Sequence, residues 1–131
     1  DLTKSSICER TELTRQNHEL IQRQVELKAL DSLVQEHKLV PPFVLKIDTE
    51  GNELSVILGA KRTLKKTLAV IVEASVVKRF HSSYEIQDLI AELKKSNFHL
   101  ANILRAEPDS NGVVKFMDLL FVNAQCDETQ L

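Results

Sequence analysis

Phe43-Val44-Leu45-Lys46-Ile47-Asp48-Thr49-Glu50-Gly51-Asn52-Glu53 decides how this chain is read. A short apolar run of strand length closes on an aspartate. Gly51 then lets the backbone turn sharply and lets a ligand come close. Asn52 opens a helical pattern in which Leu54, Ile57, Leu58 and Leu64 recur at helical spacing up to Lys66. In open α/β sheets, ligands bind beyond the carboxyl ends of the strands, which is where Asp48 stands. An aspartate there is poorly solvated unless it meets a cap, a lysine or a ligand. Lys46 is either its charge partner or an ordinary edge lysine. Glu50 and Glu53 are either pocket residues or simply good first-turn residues, since the helix dipole favours acids there.

Downstream, Leu68-Ala69-Val70-Ile71-Val72-Glu73 is nearly all apolar, the pattern of a strand buried on both faces of a parallel sheet. It too ends in a carboxylate, Glu73. Ser82 and Glu85 have capping-box spacing, and Ile86, Leu89, Ile90 and Leu93 follow at helical intervals. Asn97 stands where a C-cap residue belongs, and asparagine tolerates left-handed geometry. Residues 98–106 and 114–124 predict two strands joined by the turn Pro108-Asp109-Ser110-Asn111-Gly112. Upstream, Val25 to Leu30 alternates like a strand. Asp31 then caps a short helix with Leu33 and Val34, which Pro41-Pro42 ends. Residues 1–24 are a polar lead-in, read as a loop plus a short helix. The predicted order is β-α-β-α-β-α-β-β. Alternating strands and helices imply a mostly parallel α/β sheet, with the closing pair making one strand antiparallel.

The 131 residues suffice for one domain with one core. The net charge of −2 gives no broad electrostatic reason to expect nucleic acid or an anionic membrane as partner. No apolar run is long enough to span a bilayer, and no signal peptide is visible. Cys8 and Cys126 are far apart and read as reduced thiols of a cytoplasmic protein. His18, His37, His81 and His99 are scattered, so no metal site is expected. The chain lacks an initiating Met and reads as part of a longer protein.

Val44 to Leu54, followed by Leu58-Gly59-Ala60, resembles the central signature of the FkbM family of methyltransferases. Leu30-Asp31-Ser32-Leu33 resembles the family's preceding strand-to-helix junction, and Val70-Ile71-Val72-Glu73 its next strand. Leu93 to Phe98 resembles its late helix and turn, with Asn97 where glycine is usual. Met117 to Val122 resembles its closing strand, and Ser5-Ser6-Ile7 more weakly an upstream serine pair. The resemblance spans roughly residues 25–124, so residues 25–131 are read as a partial FkbM-like domain.

The resemblance implies the C-terminal part of a class I, Rossmann-like methyltransferase fold whose last strand is antiparallel. It implies S-adenosylmethionine as cofactor in the full-length protein. It also implies O-methylation of a small-molecule hydroxyl acceptor, on a sugar or polyketide-like compound. Asp48 would be the catalytic residue, with Glu50, Glu53 and Glu73 toward the acceptor. The family's cofactor cradle is a Gly-rich turn after its first strand. The three glycines here, Gly51, Gly59 and Gly112, form no Gly-x-Gly turn. The cofactor-binding residues are thus unknown, and the chain alone is expected to be inactive. The alternative is a non-catalytic α/β module that binds through the open edge of the 43–48 strand, including by self-association. A phosphate-accepting aspartate of a receiver-like domain ranks last, because the paired acids expected after a first strand are missing.

Overall fold

The computed structural model describes residues 24–78 and 83–125. In chain order these form α1 (Leu30–Glu36), β1 (Phe43–Ile47), α2 (Glu53–Leu58), α3 (Lys61–Leu64), β2 (Thr67–Ser75), α4 (Ile86–Lys95), β3 (Phe98–Pro108) and β4 (Val114–Asn123). The strands make one mixed sheet in the order β1-β2-β4-β3. β1 and β2 are parallel, and β4 runs antiparallel to both of its neighbours. The α/β class and the antiparallel last strand are as the sequence pattern predicts. The polar lead-in lies almost wholly outside the described residues.

The strand expected over 25–30 does not form. Residues 24–29 are irregular, and Val25 and Leu27 are well exposed, at 64% and 68%. A strand needs a neighbour for its N–H and C=O groups, and among the described residues no strand pairs with this segment. β1 ends the sheet, so its outer edge is likewise unpaired among the described residues.

The helix expected from Asn52 to Lys66 breaks at Gly59-Ala60 into α2 and α3. The cause is Asp31. It does not cap its own helix, whose N-cap is Ala29. Its carboxylate instead accepts the N–H groups of Arg62 (2.8 Å) and Thr63 (2.7 Å) and the Thr63 hydroxyl (2.6 Å). A side chain from α1 thus starts α3, which is long-range capping of otherwise orphaned N–H groups. α1 stops at Glu36, before the prolines, with Lys38 at a positive φ of 53°.

Burial pushes the Asp31 carboxyl up, but hydrogen bonds from Thr63 and Arg62 and the Arg62 charge outweigh it. The net position is below the ordinary 3.8. Asp31→Ala is expected to cost about 1–2 kcal/mol at pH 7, as for a lost cap. The folded pKa is the lower one, so this stabilisation is full above the unfolded value. It disappears as pH falls through the folded value. Urea unfolding of both proteins at pH 7 and near pH 3 checks this, and the gap between them should narrow at the lower pH.

The core lies on one side of the sheet. Val70, Val72 and Ala74 of β2 and Leu119 and Phe121 of β4 cluster with Ile57 of α2, Leu64 of α3 and Leu89 and Leu93 of α4. Ile71 and Glu73, pointing to the other face, are only half-buried. α4 begins after Glu85, and the Asp88 carboxylate reaches back to the Glu85 N–H at 3.4 Å. The capping box is therefore Glu85–Asp88. The expected Ser82 is outside the described residues. Asn97 ends the helix region at φ 65°, the left-handed geometry expected of it. In the β3–β4 turn, Asp109 accepts the N–H groups of Asn111 and Val113 and pairs with Lys115.

Candidate functional site

Asp48 follows directly on the last residue of β1, and its carboxylate is 45% exposed. Lys46 lies two residues earlier, on the same face of the strand. Its Nζ is 3.0 Å from Asp48 Oδ2. Lys46 is therefore the charge partner of Asp48, and that hydrogen bond is the main cause of its raised pKa. Both side chains are well exposed, so the pair adds little to stability.

The loop after Asp48 is tightly specified. Glu50 has φ 53°, which is uncommon for a residue with a Cβ, and Gly51 has φ 107°. Glu53, the first residue of α2, holds this geometry. Its Oε1 accepts the Thr49 N–H (2.9 Å), the Thr49 hydroxyl (3.0 Å) and the Gly51 N–H (3.0 Å). Its Oε2 also takes the Gly51 N–H, at 3.2 Å. Glu53 is only 1% exposed. Of its two readings, the helix-start one is met in an extended form, for the carboxylate organises the preceding loop. The loop sits between the charged end of β1 and a buried anion, so its backbone is preset. Glu50 is half-buried beside Asp48.

Glu73 does not close its strand, because β2 continues to Ser75. Ile47 pairs with Val72, so Glu73 is level with Asp48 on the neighbouring strand. In the antiparallel ladders Glu73 faces Asp118, and Asp118 faces Arg105. Like charges opposite one another are unfavourable. Lys46 on one outer strand and Arg105 on the other offset them. Glu107 is the first cause of the raised Arg105 pKa, with Asp118 and Glu73 contributing. Asp118 and Arg105 escaped sequence reasoning because register, not spacing along the chain, brings them to this row.

Tyr84, just before α4, packs against the core, and its hydroxyl is buried without a hydrogen-bond partner among the described residues. Its surroundings include the Glu53 carboxylate and the Ser75 backbone, and burial above all pushes its pKa far up. A signal was available. Tyr84 and Leu89 stand at the N′ and N4 positions of α4, the spacing of a hydrophobic staple. Arg79 and His81 lie outside the described residues.

The described residues do not by themselves fit S-adenosylmethionine. No Gly-x-Gly turn is present in the chain. A cleft of about 200 Å³ is lined by Asp31, Val34, Leu39, Phe43, Arg62 and neighbours, at the start of β1, whereas Asp48 follows its end. Among the described residues no three His, Cys, Asp or Glu side chains gather as a metal set. No helix there is long and apolar enough to cross a membrane.

A family model, the methyltransferase FkbM domain, matches residues 2–100. The match includes Ser5-Ser6-Ile7 and the whole signature. It reaches further upstream than the resemblance over 25–124 and stops before Met117 to Val122. Neither a curated protein nor a solved structure matches the chain.

Proposed function

The chain belongs to the FkbM methyltransferase family, and from that premise we propose that it carries the acceptor-side edge of an S-adenosylmethionine-dependent O-methyltransferase. The observation that carries this reading is Asp48. It is an accessible carboxylate at the carboxyl end of a strand, next to a loop preset by a buried glutamate. A Rossmann-like methyltransferase sheet is consistent with the antiparallel last strand.

In this reading the acceptor is a small molecule with a hydroxyl group, on a sugar or polyketide-like compound. Asp48 accepts the hydroxyl proton, or orients the oxygen, as the acceptor reacts. Lys46 holds the carboxylate in place through its hydrogen bond. Glu50 and Glu73 face the acceptor's other polar groups, and Glu53 acts on the pocket through the loop it holds. The cofactor cradle is supplied from outside these 131 residues.

The test is a calorimetric titration of the 131-residue chain with S-adenosylmethionine. No saturable heat is expected at cofactor concentrations up to about 1 mM, a binding free energy weaker than about −4 kcal/mol. Micromolar binding would overturn the assignment of the cradle to residues outside this chain.

A second reading rests on the unpaired edge of β1, where Val44 is 63% exposed. There the chain is a binding module that adds a strand from a partner or from a second copy. Sedimentation of the chain over a wide concentration range separates the two, because edge pairing makes the mass rise with concentration.

A further inference from the structure

We propose that the lysine-lined cavity between α3 and the end of α4 binds a phosphoryl group, either as the free ion or carried on a small molecule. The cavity lies away from Asp48 and does not rest on the methyl-transfer reading.

The cavity has a volume of about 210 Å³ and is lined by Lys61, Leu64, Lys65, Lys95, Ser96 and Asn97. Three of these side chains are cationic and none is an acid. The chain as a whole has a net charge of −2, so the positive excess is local. Two separate elements supply it. Lys61 opens α3 and Lys65 is its C-cap, while Lys95 closes α4. A lysine in the last turn of a helix complements the dipole, which accounts for Lys95. It does not account for Lys61 and Lys65 beside it. Those two are four residues apart, one turn along α3, where like charges repel.

Glu92 shows how the cluster is held. One of its carboxylate oxygens takes Lys61 Nζ, and the other takes Lys95 Nζ at 3.1 Å. The Glu92 side chain is only 14% exposed, against 43% for Lys61 and 72% for Lys95. The acid is mostly covered, and the two ammonium groups stay accessible. Three lysines against one glutamate leave two positive charges. A phosphate ester carries roughly −1.5 to −2 at pH 7, so the charges match. Lysine binds phosphate as a point charge and needs no forked geometry. Ser96 and Asn97 add a hydroxyl and an amide NH2, both able to donate to a phosphate oxygen. Pockets for drug-sized ligands hold roughly 300–1,000 Å³. This smaller one suits a single phosphoryl group, with any carrier left outside.

The place of the cavity separates it from the candidate site. Lys66 directly precedes β2 and Asn97 directly precedes β3, and these strands run the same way, both antiparallel to β4. The cavity is therefore at the starts of β2 and β3, whereas Asp48 follows the end of β1, which is parallel to β2.

The test is a titration of the 131-residue chain with inorganic phosphate, read by amide NMR shifts at an ionic strength held constant with chloride. The Lys65, Ser96 and Asn97 amides should move saturably, with a Kd of about 1 mM, while the Thr49 and Gly51 amides stay still. Lys65→Gln removes an exposed charge, so the variant should fold, and its Kd should rise about tenfold. Lys65→Arg should stay within about twofold of the wild type. No saturable shift at these amides overturns the site, and so does a Kd unchanged in Lys65→Gln. Glycerol 3-phosphate, added in competition, identifies the source. Displacement of phosphate supports a phosphorylated small molecule as the ligand, and failure to displace it supports the free ion. A negative titration leaves the Asp48 reading untouched, because no residue is shared.

Discussion

Asp48→Asn in the full-length protein should lower methyl transfer by about 100- to 10,000-fold while the protein stays folded. The range is that of a lost general base or an orienting carboxylate. Asparagine matches aspartate in size and still offers Lys46 a carbonyl oxygen, so the 3.0 Å contact has a neutral substitute. What it cannot do is accept a proton or carry charge to an acceptor hydroxyl. The structural cost should be small. The Asp48–Lys46 pair is exposed, and such pairs contribute about 0–1 kcal/mol. Glu53, not Asp48, holds the loop's N–H groups. Single-turnover transfer, measured beside a thermal melt, separates chemistry from folding. Unchanged turnover in a folded variant would remove Asp48 from the mechanism. A drop in turnover that follows a drop in melting temperature would assign it to the fold instead.

What could be read from the residues alone depended on range. β1, β2 and α4 were legible because each declares itself over a short window: an apolar run ending in a carboxylate, a near-continuous apolar run, and apolar residues at helical spacing. The burial expected on both faces of β2 is met on one, since Ile71 and Glu73 on the other are only partly buried. Asn97 was legible because left-handed geometry leaves few choices of residue. Most of the failures came from partners distant in sequence. Val25 to Leu30 has a strand's alternation, but alternation gives only a surface, and a strand forms when another strand meets it. The break between α2 and α3 was invisible because its cause, Asp31, lies about thirty residues upstream. The site followed the same rule. Asp48 and Lys46 are two residues apart, and their pairing was one of two stated readings. Glu73 level with Asp48, facing Asp118 and through it Arg105, is a product of ladder register, which a single sequence does not specify.

Glu53→Ala should be the most destabilising of these single changes, at about 3 kcal/mol. The wild-type carboxylate serves two backbone N–H groups and a hydroxyl within one buried turn. Alanine leaves those donors without an acceptor where water has little access. Each buried donor left unmade costs about 1–3 kcal/mol, partly relieved if the loop opens to solvent. Opening also lets Glu50 leave its left-handed geometry, so part of the cost is regained. The negative charge is also placed favourably at the start of α2, and alanine forfeits that term. Glu53→Gln should fall between the two. The amide oxygen can replace Oε1 toward Thr49, but the NH2 group then sits where Oε2 meets the Gly51 N–H, donor against donor. A loss of about 3 kcal/mol corresponds to a fall in melting temperature of about 10 °C for a domain of this size. Calorimetric melts of the wild type, Gln and Ala proteins at pH 7 should therefore rank in that order. If Glu53→Ala melts within a degree or two of the wild type, the carboxylate does not hold the loop. Glu53 would then be free to meet an acceptor directly, as a pocket-lining residue.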